Sequence, residues 1–275
     1  MREHPRLLSL ETRFTGQDAR FMGRAGGWAL GALLLLACNQ SEAYPPSRTA
    51  ESTPEVGRHY RSNWSSLPVG TEPEEFIDVR REGHQASWLY GGGWRIARYG
   101  RETVYEVPQA LRQPEEPLTF RRYRGEVFGP NGDLPRKYRV EAEARSLGGA
   151  VRFNGYGELA MQVYYVSPTT YVEVLQTNEA LLIWEAVNAP PMQGSGWTPI
   201  ARVARGARVG QWVTFGAEVD RVSGTITALL DGKPVATGRS RLLKGSGPGR
   251  LTLRATGNRE EWRWVAIQEL EGASH

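Results

Sequence analysis

Tyr138-Arg139-Val140-Glu141-Ala142-Glu143-Ala144-Arg145 alternates apolar and charged side chains without a break. Side chains of a β-strand point to opposite faces with a period of two, so this stretch places Tyr138, Val140, Ala142 and Ala144 on one face and four charges on the other. A strand of that kind covers a core on one side and meets water on the other, as in an antiparallel sheet. Glu141 and Glu143, flanked by Arg139 and Arg145, read as a charge-paired stripe on the wet face.

The same grammar continues downstream. Met161–Val166 runs to a turn at Ser167-Pro168, and Thr170–Leu175 returns. A turn at Thr177-Asn178-Glu179 leads into Leu181–Val187. Trp212–Val219 and Thr225–Leu230 flank Asp220–Gly224, and Asp231-Gly232 predicts a tight hairpin into Pro234-Val235-Ala236. Leu251–Ala255 and Trp262–Ile267 follow. No helical period of any length occurs after residue 76. Roughly 14 short antiparallel strands are too many for a small barrel and predict an all-β sandwich of two packed sheets over residues 64–275.

Upstream, residues 38–63 are rich in Pro, Ser, Thr and Glu, a composition that buries too little apolar area to order itself and reads as a tether. Ahead of it, Gly26–Ala37 is an uncharged apolar run after Arg24, ending at Cys38. It is shorter than the ~20 residues that span a bilayer, and reads as a secretory signal instead. Leu35-Leu36-Ala37-Cys38 resembles the lipobox of bacterial lipoproteins, although Leu36 is bulkier than that family prefers. The resemblance implies cleavage after Ala37, acylation of Cys38 and a lipid anchor, with Asn39 favouring the outer membrane. Residues 1–37 are then a signal peptide, with Met22 as the expected start.

The five arginines and three acids of that leader come off totals of 34 and 30, leaving 29 bases against 27 acids. No Lys/Arg cluster remains to form a nucleic-acid surface. Cys38 is the only cysteine, so no disulfide staples the domain. Histidines at 59, 84 and 275 are too far apart in sequence to suggest a metal site, and no cofactor motif is present.

Three stretches, Gly210–Asp220, Gly224–Lys233 and Gly249–Ala255, resemble the C-terminal half of concanavalin A-like lectin/glucanase jelly rolls, the laminin G-like members above all. Pro168–Leu175 with Leu182–Asn188 resembles their paired middle strands, and Leu67-Pro68 with Gly93–Ala97 their opening. The likeness implies a jelly-roll sandwich whose concave sheet carries Trp94, Tyr171 and Trp184 as ligand-binding aromatics. Trp212 is expected in the core. Trp262 and Trp264 are expected on one face of the last strand, with at least one of them buried. In some laminin G-like members calcium binds at the rim, where Asn131-Gly132-Asp133 falls here; the residues themselves read as a turn.

Glucanases of this family carry two catalytic glutamates in the pattern Glu-x-Asp-x-Glu, an acid and a nucleophile or base. Glu102-Thr103-Val104-Tyr105-Glu106 is the nearest match, with Val104 where the helper Asp belongs. Glu102 and Glu106 are thus the candidate catalytic pair, against a plainer reading as two strand acids facing water. The leading expectation is a lipid-anchored envelope module that binds carbohydrate. A glycoside hydrolase acting on a modified disaccharide and a protein-binding scaffold remain as alternatives.

Overall fold

The computed structural model describes residues 57–270, apart from 85, 87–88, 90–92, 108–117, 150–157, 190–195, 246 and 257. Cys38 and the apolar run before it lie outside these residues. Among the described residues no helix is long and apolar enough to cross a membrane.

Fifteen strands are described: β1 (His59–Arg61), β2 (Phe76–Asp78), β3 (Arg95–Tyr99), β4 (Glu102–Val107), β5 (Leu118–Tyr123), β6 (Lys137–Gly149), β7 (Leu159–Ser167), β8 (Thr170–Gln176), β9 (Leu181–Ala186), β10 (Trp197–Val203), β11 (Val213–Asp220), β12 (Thr225–Leu230), β13 (Lys233–Arg239), β14 (Thr252–Thr256) and β15 (Asn258–Glu269). They form two antiparallel sheets. The first runs β13-β12-β11-β6-β15-β4-β3, with β1 also on β15; the second runs β10-β9-β8-β7-β14-β5-β2. Their inner faces close on one apolar core that includes Trp94, Tyr105, Val140, Val174, Ile183, Phe215, Leu253 and Trp262.

The alternating stretch around Glu141 is the centre of β6, paired with β11 on one side and β15 on the other. Its apolar residues face the core and its charges face outward, where Arg139 meets Glu141 at 2.7 Å and Arg145 meets Glu261 at 2.6 Å. The Asp231-Gly232 hairpin turns with φ of 50° and 73°, both positive as a type I′ turn requires.

Three placements differ from the sequence reading. Ordered pairing begins before Trp64: His59–Arg61 lie against Ala266–Gln268, Arg58 bridges Glu269 at 2.8 Å, and Ser62 exchanges backbone and hydroxyl bonds with Val265. The polar composition that reads as tether conceals an edge strand, whose hydrogen bonds come from its backbone and not from its side chains. Trp212 is half-buried on the outer face of the first sheet, flanked by the guanidiniums of Arg145 and Arg263 at 4.5 and 3.9 Å from its ring, not in the core. A bulge between Trp262 and Trp264 separates those two: Trp262 opposes Ala144 in the core, while Trp264 opposes Glu143 outside and donates to it at 3.0 Å.

Candidate functional site

The outer face of the second sheet is built by the residues that alternate with its core. In β8, Val172 and Val174 point inward, so Tyr171 and Glu173 point out; in β14, Leu251 and Leu253 flank Thr252, and Arg254 follows on the same outward face. The strand register then lines these side chains up across the sheet. One row reads Trp184, Glu173, Gln162, Thr252, Arg122 over five neighbouring strands. The next reads Leu182, Leu175, Ala160, Arg254, Phe120. Aromatic residues run beside them: Trp184 meets Trp197 edge-on at 6.5 Å, Trp197 meets Tyr171 at 5.7 Å, and Tyr171 meets Phe120 at 6.5 Å.

This face is not open to water along its whole length. A second apolar cluster sits on it, in which Val79, Ala86 and Leu89 pack against Leu118, Phe120, Tyr165 and Tyr171. Leu89 bridges Leu118 in parallel, His84 stands edge-on to Tyr165 at 6.4 Å, and Glu82 pairs with Arg122. Val79, Glu82, His84, Ala86 and Leu89 therefore cover part of the β5–β7 side. Trp184 and Trp197 stay half-exposed toward the β10 edge.

The polar residues of these rows are buried. Glu173 is 1% exposed and Arg254 6%, with Arg254 Nε donating to Glu173 at 3.1 Å and its Nη1 to Thr256. Burial pushes the Glu173 carboxyl up, against the pull of Arg254. The Tyr171 hydroxyl and the Gln162 amide lie close enough to bond each other, while Thr252 and Tyr165 each bury a side-chain polar atom with no hydrogen-bond partner. Such orphans are rare in folded proteins, and each costs ~1–3 kcal/mol of desolvation. Solvent reaches this face at the half-exposed Trp184–Trp197 pair.

Glu260 lies near Arg254 and is wholly buried. Its Oε2 accepts from Trp262 Nε1 at 3.2 Å, while Oε1 has no partner. Burial raises its carboxyl well above the ordinary range, opposed by the Trp262 bond and the Arg254 charge. The unfolded chain therefore loses this proton before the folded one does, and stability falls as pH rises through that window. Glu260→Gln keeps the shape without the titration. Its melting temperature is expected to exceed the parent's at about pH 8 and to converge with it near pH 4, below the ordinary carboxylate pKa. A constant gap across that range would show that Glu260 is ionised in the fold.

The residues singled out from sequence do not form one group. Trp94 is 2% exposed between the sheets, its Nε1 donating to Thr119 at 2.7 Å, so its ring is core and not a ligand surface. Tyr171 lies on the outer face of the second sheet, though fully buried under Trp197 and Phe120; Trp184 is half-exposed on the same face. Glu102 and Glu106 lie on the opposite side of the molecule, outside the first sheet. There Glu102 pairs with Arg263, and Glu106 pairs with Arg95 at 3.0 Å and accepts from Tyr99 at 2.6 Å. Asn131-Gly132-Asp133 is a turn, with Asn131 at φ 57° and Asp133 paired with Arg250 at 3.4 Å. Among the described residues no group of three or more His, Cys, Asp or Glu is placed to hold a metal. Gln162, Glu173, Thr252, Arg254 and Trp197 were not singled out by sequence reading. For Gln162, Glu173, Thr252 and Arg254 the signal is a polar residue between two apolar chain neighbours, which shows direction but not cover.

No protein-family model matches the chain, nor does any curated protein. Solved structures with a similar course include the carbohydrate-binding module CBM66 from Bacillus subtilis, at TM-score 0.43 and 10% identity over 69% of this chain and 92% of that one. The non-specific endo-β-1,3(4)-glucanase SCLam of family GH16 gives 0.49 and 13% over 76% and 89%. Sheep galectin-11 gives 0.37 and 12% over 49% and 92%. At such identities and scores none of these likenesses carries an activity across.

Proposed function

We propose that the protein is a lipid-anchored module of the bacterial envelope that binds a carbohydrate on the outer face of its second sheet, at the Trp184–Trp197 end. The observation that supports this most is the half-exposed Trp184–Trp197 pair on that face, its rings 6.5 Å apart. Half-exposed indole rings offer apolar planes on which the C–H edges of a sugar can stack. Glu102 and Glu106 take no part, since they face the other way and are held by arginines. The anchor is Cys38, acylated after export, with Asn39 directing the protein to the outer membrane.

Calorimetric titration or a glycan array with the full chain tests the ligand. Trp184→Ala is expected to weaken the glycan found by about 1–3 kcal/mol, the usual worth of an aromatic anchor, while Glu102→Gln with Glu106→Gln leaves binding unchanged. Binding that survives Trp184→Ala, or no glycan binding at all, overturns the reading. A glycoside turned over by the parent but not by the Glu102/Glu106 double variant would replace it with the hydrolase. Cys38→Ser is expected to abolish palmitate labelling, which tests the anchor separately.

A further inference from the structure

At the opposite end of the molecule from Glu260, the ends of the first sheet's strands carry a group of cations that the carbohydrate face does not use. Arg136 precedes β6, Arg221 follows β11, and Lys244 follows β13; they come from separate parts of the chain. A cavity of about 440 Å³ opens between them, lined among the described residues by Arg136, Arg221, Val222, Lys244 and Gly245. That volume falls within the ~300–1,000 Å³ of small-molecule sites. Three linings are cationic and none is acidic.

The cations are held in place by backbone. Arg221 N donates to Arg136 O at 2.9 Å, which fixes the two arginines side by side. The Arg221 guanidinium lies 5.3 Å from the Tyr164 ring centroid and donates to the carbonyls of Gly245 (3.4 Å) and Gly247. Its Nε is buried with no partner. Gly224, at φ +73°, leaves room for the Lys244 stem, whose Cε would stand only 2.9 Å from a Cβ there. The nearest acid in sequence is engaged elsewhere: Asp220 accepts from Val222 N (2.9 Å) and Ser223 N (3.2 Å), and its second oxygen lies 3.6 Å from Lys137. Like charges held together with no acid among the described lining residues repel one another, and an anion entering the cleft would relieve that. The Arg136 guanidinium, the Arg221 Nη1 and the Lys244 ammonium are donors suited to the tetrahedral oxygens of phosphate or sulfate.

We propose that this cleft binds a phosphate or sulfate group, free or esterified to a sugar. The test is calorimetric titration of the full chain with inorganic phosphate, inorganic sulfate, glucose 6-phosphate and glucose. The anions are expected to bind and glucose not to. Arg136→Gln and Lys244→Gln are each expected to weaken binding about tenfold, the usual worth of a charge-assisted bond, and Arg98→Gln on the far edge of the sheet to leave it unchanged. Raising the salt concentration is expected to weaken binding further. Tighter binding of glucose 6-phosphate than of inorganic phosphate identifies an ester as the ligand; the reverse order identifies the free ion. Trp184→Ala is expected to leave the anion affinity intact, so this site and the carbohydrate face can fail independently. No binding of any of the three anions, or equal affinity in the parent and the Arg136→Gln/Lys244→Gln double variant, overturns the proposal.

Discussion

Replacing Arg254 by methionine is expected to destabilise the fold by about 3–5 kcal/mol, the cost of leaving a buried charge without its partner. The side chain at risk is Glu173, 1% exposed, whose carboxylate takes both Nε (3.1 Å) and Nη2 (3.4 Å) of Arg254. Burial already pushes the Glu173 carboxyl up, so without the guanidinium it would be driven to take a proton. Glu173→Leu combined with Arg254→Met removes both charges at once and is expected to recover most of the loss, because apolar replacements of a buried pair are often neutral or better. Urea unfolding of the two single variants and the double variant measures this as a cycle. An Arg254→Met variant within about 0.5 kcal/mol of the parent, the range of ordinary surface substitutions, would mean that water reaches the pair.

Trp94→Ala is expected to cost a comparable amount, about 3–5 kcal/mol, through the cavity it leaves in the core. Trp94 packs 4.9 Å from the Tyr105 ring, and its removal also orphans the Thr119 hydroxyl that its indole N–H meets. The decisive comparison is with Trp184→Ala. The first variant should lower the melting temperature and leave glycan affinity in the folded protein unchanged; the second should do the reverse. A Trp94→Ala variant of normal stability but impaired glycan binding would restore Trp94 to the ligand surface.

The two aromatics show where a strand pattern stops being informative. Trp94 and Trp184 both sit in β-rich runs beside apolar residues, and nothing local distinguishes them. What separates them is which sheet face each points to and what lies over that face. Trp94 points between the sheets, and Trp184 points away from them, half-exposed toward the β10 edge. Tyr171 has the same outward direction as Trp184 but lies under Trp197 and Phe120. Its alternation with Val172 and Val174 was legible, and its burial was not.

The sequence by itself determined the sandwich, because period-two alternation and turn residues act locally. Tyr138–Arg145 states which side of β6 is dry, and Asp231-Gly232 can form only a tight hairpin with both φ values positive. Tertiary structure alone decided three other matters. The bulge in β15 sent Trp262 inward and Trp264 outward, an extra residue that no alternation rule foresees. Backbone pairing with β15 drew His59–Arg61 into the first sheet, where polar side chains do not matter to the hydrogen bonds made. Register across five strands brought Trp184, Glu173, Gln162, Thr252 and Arg122 into one row. These residues are far apart in sequence, and the contacts that assemble them form only when the strands pair, so no stretch of the chain read alone contains the site.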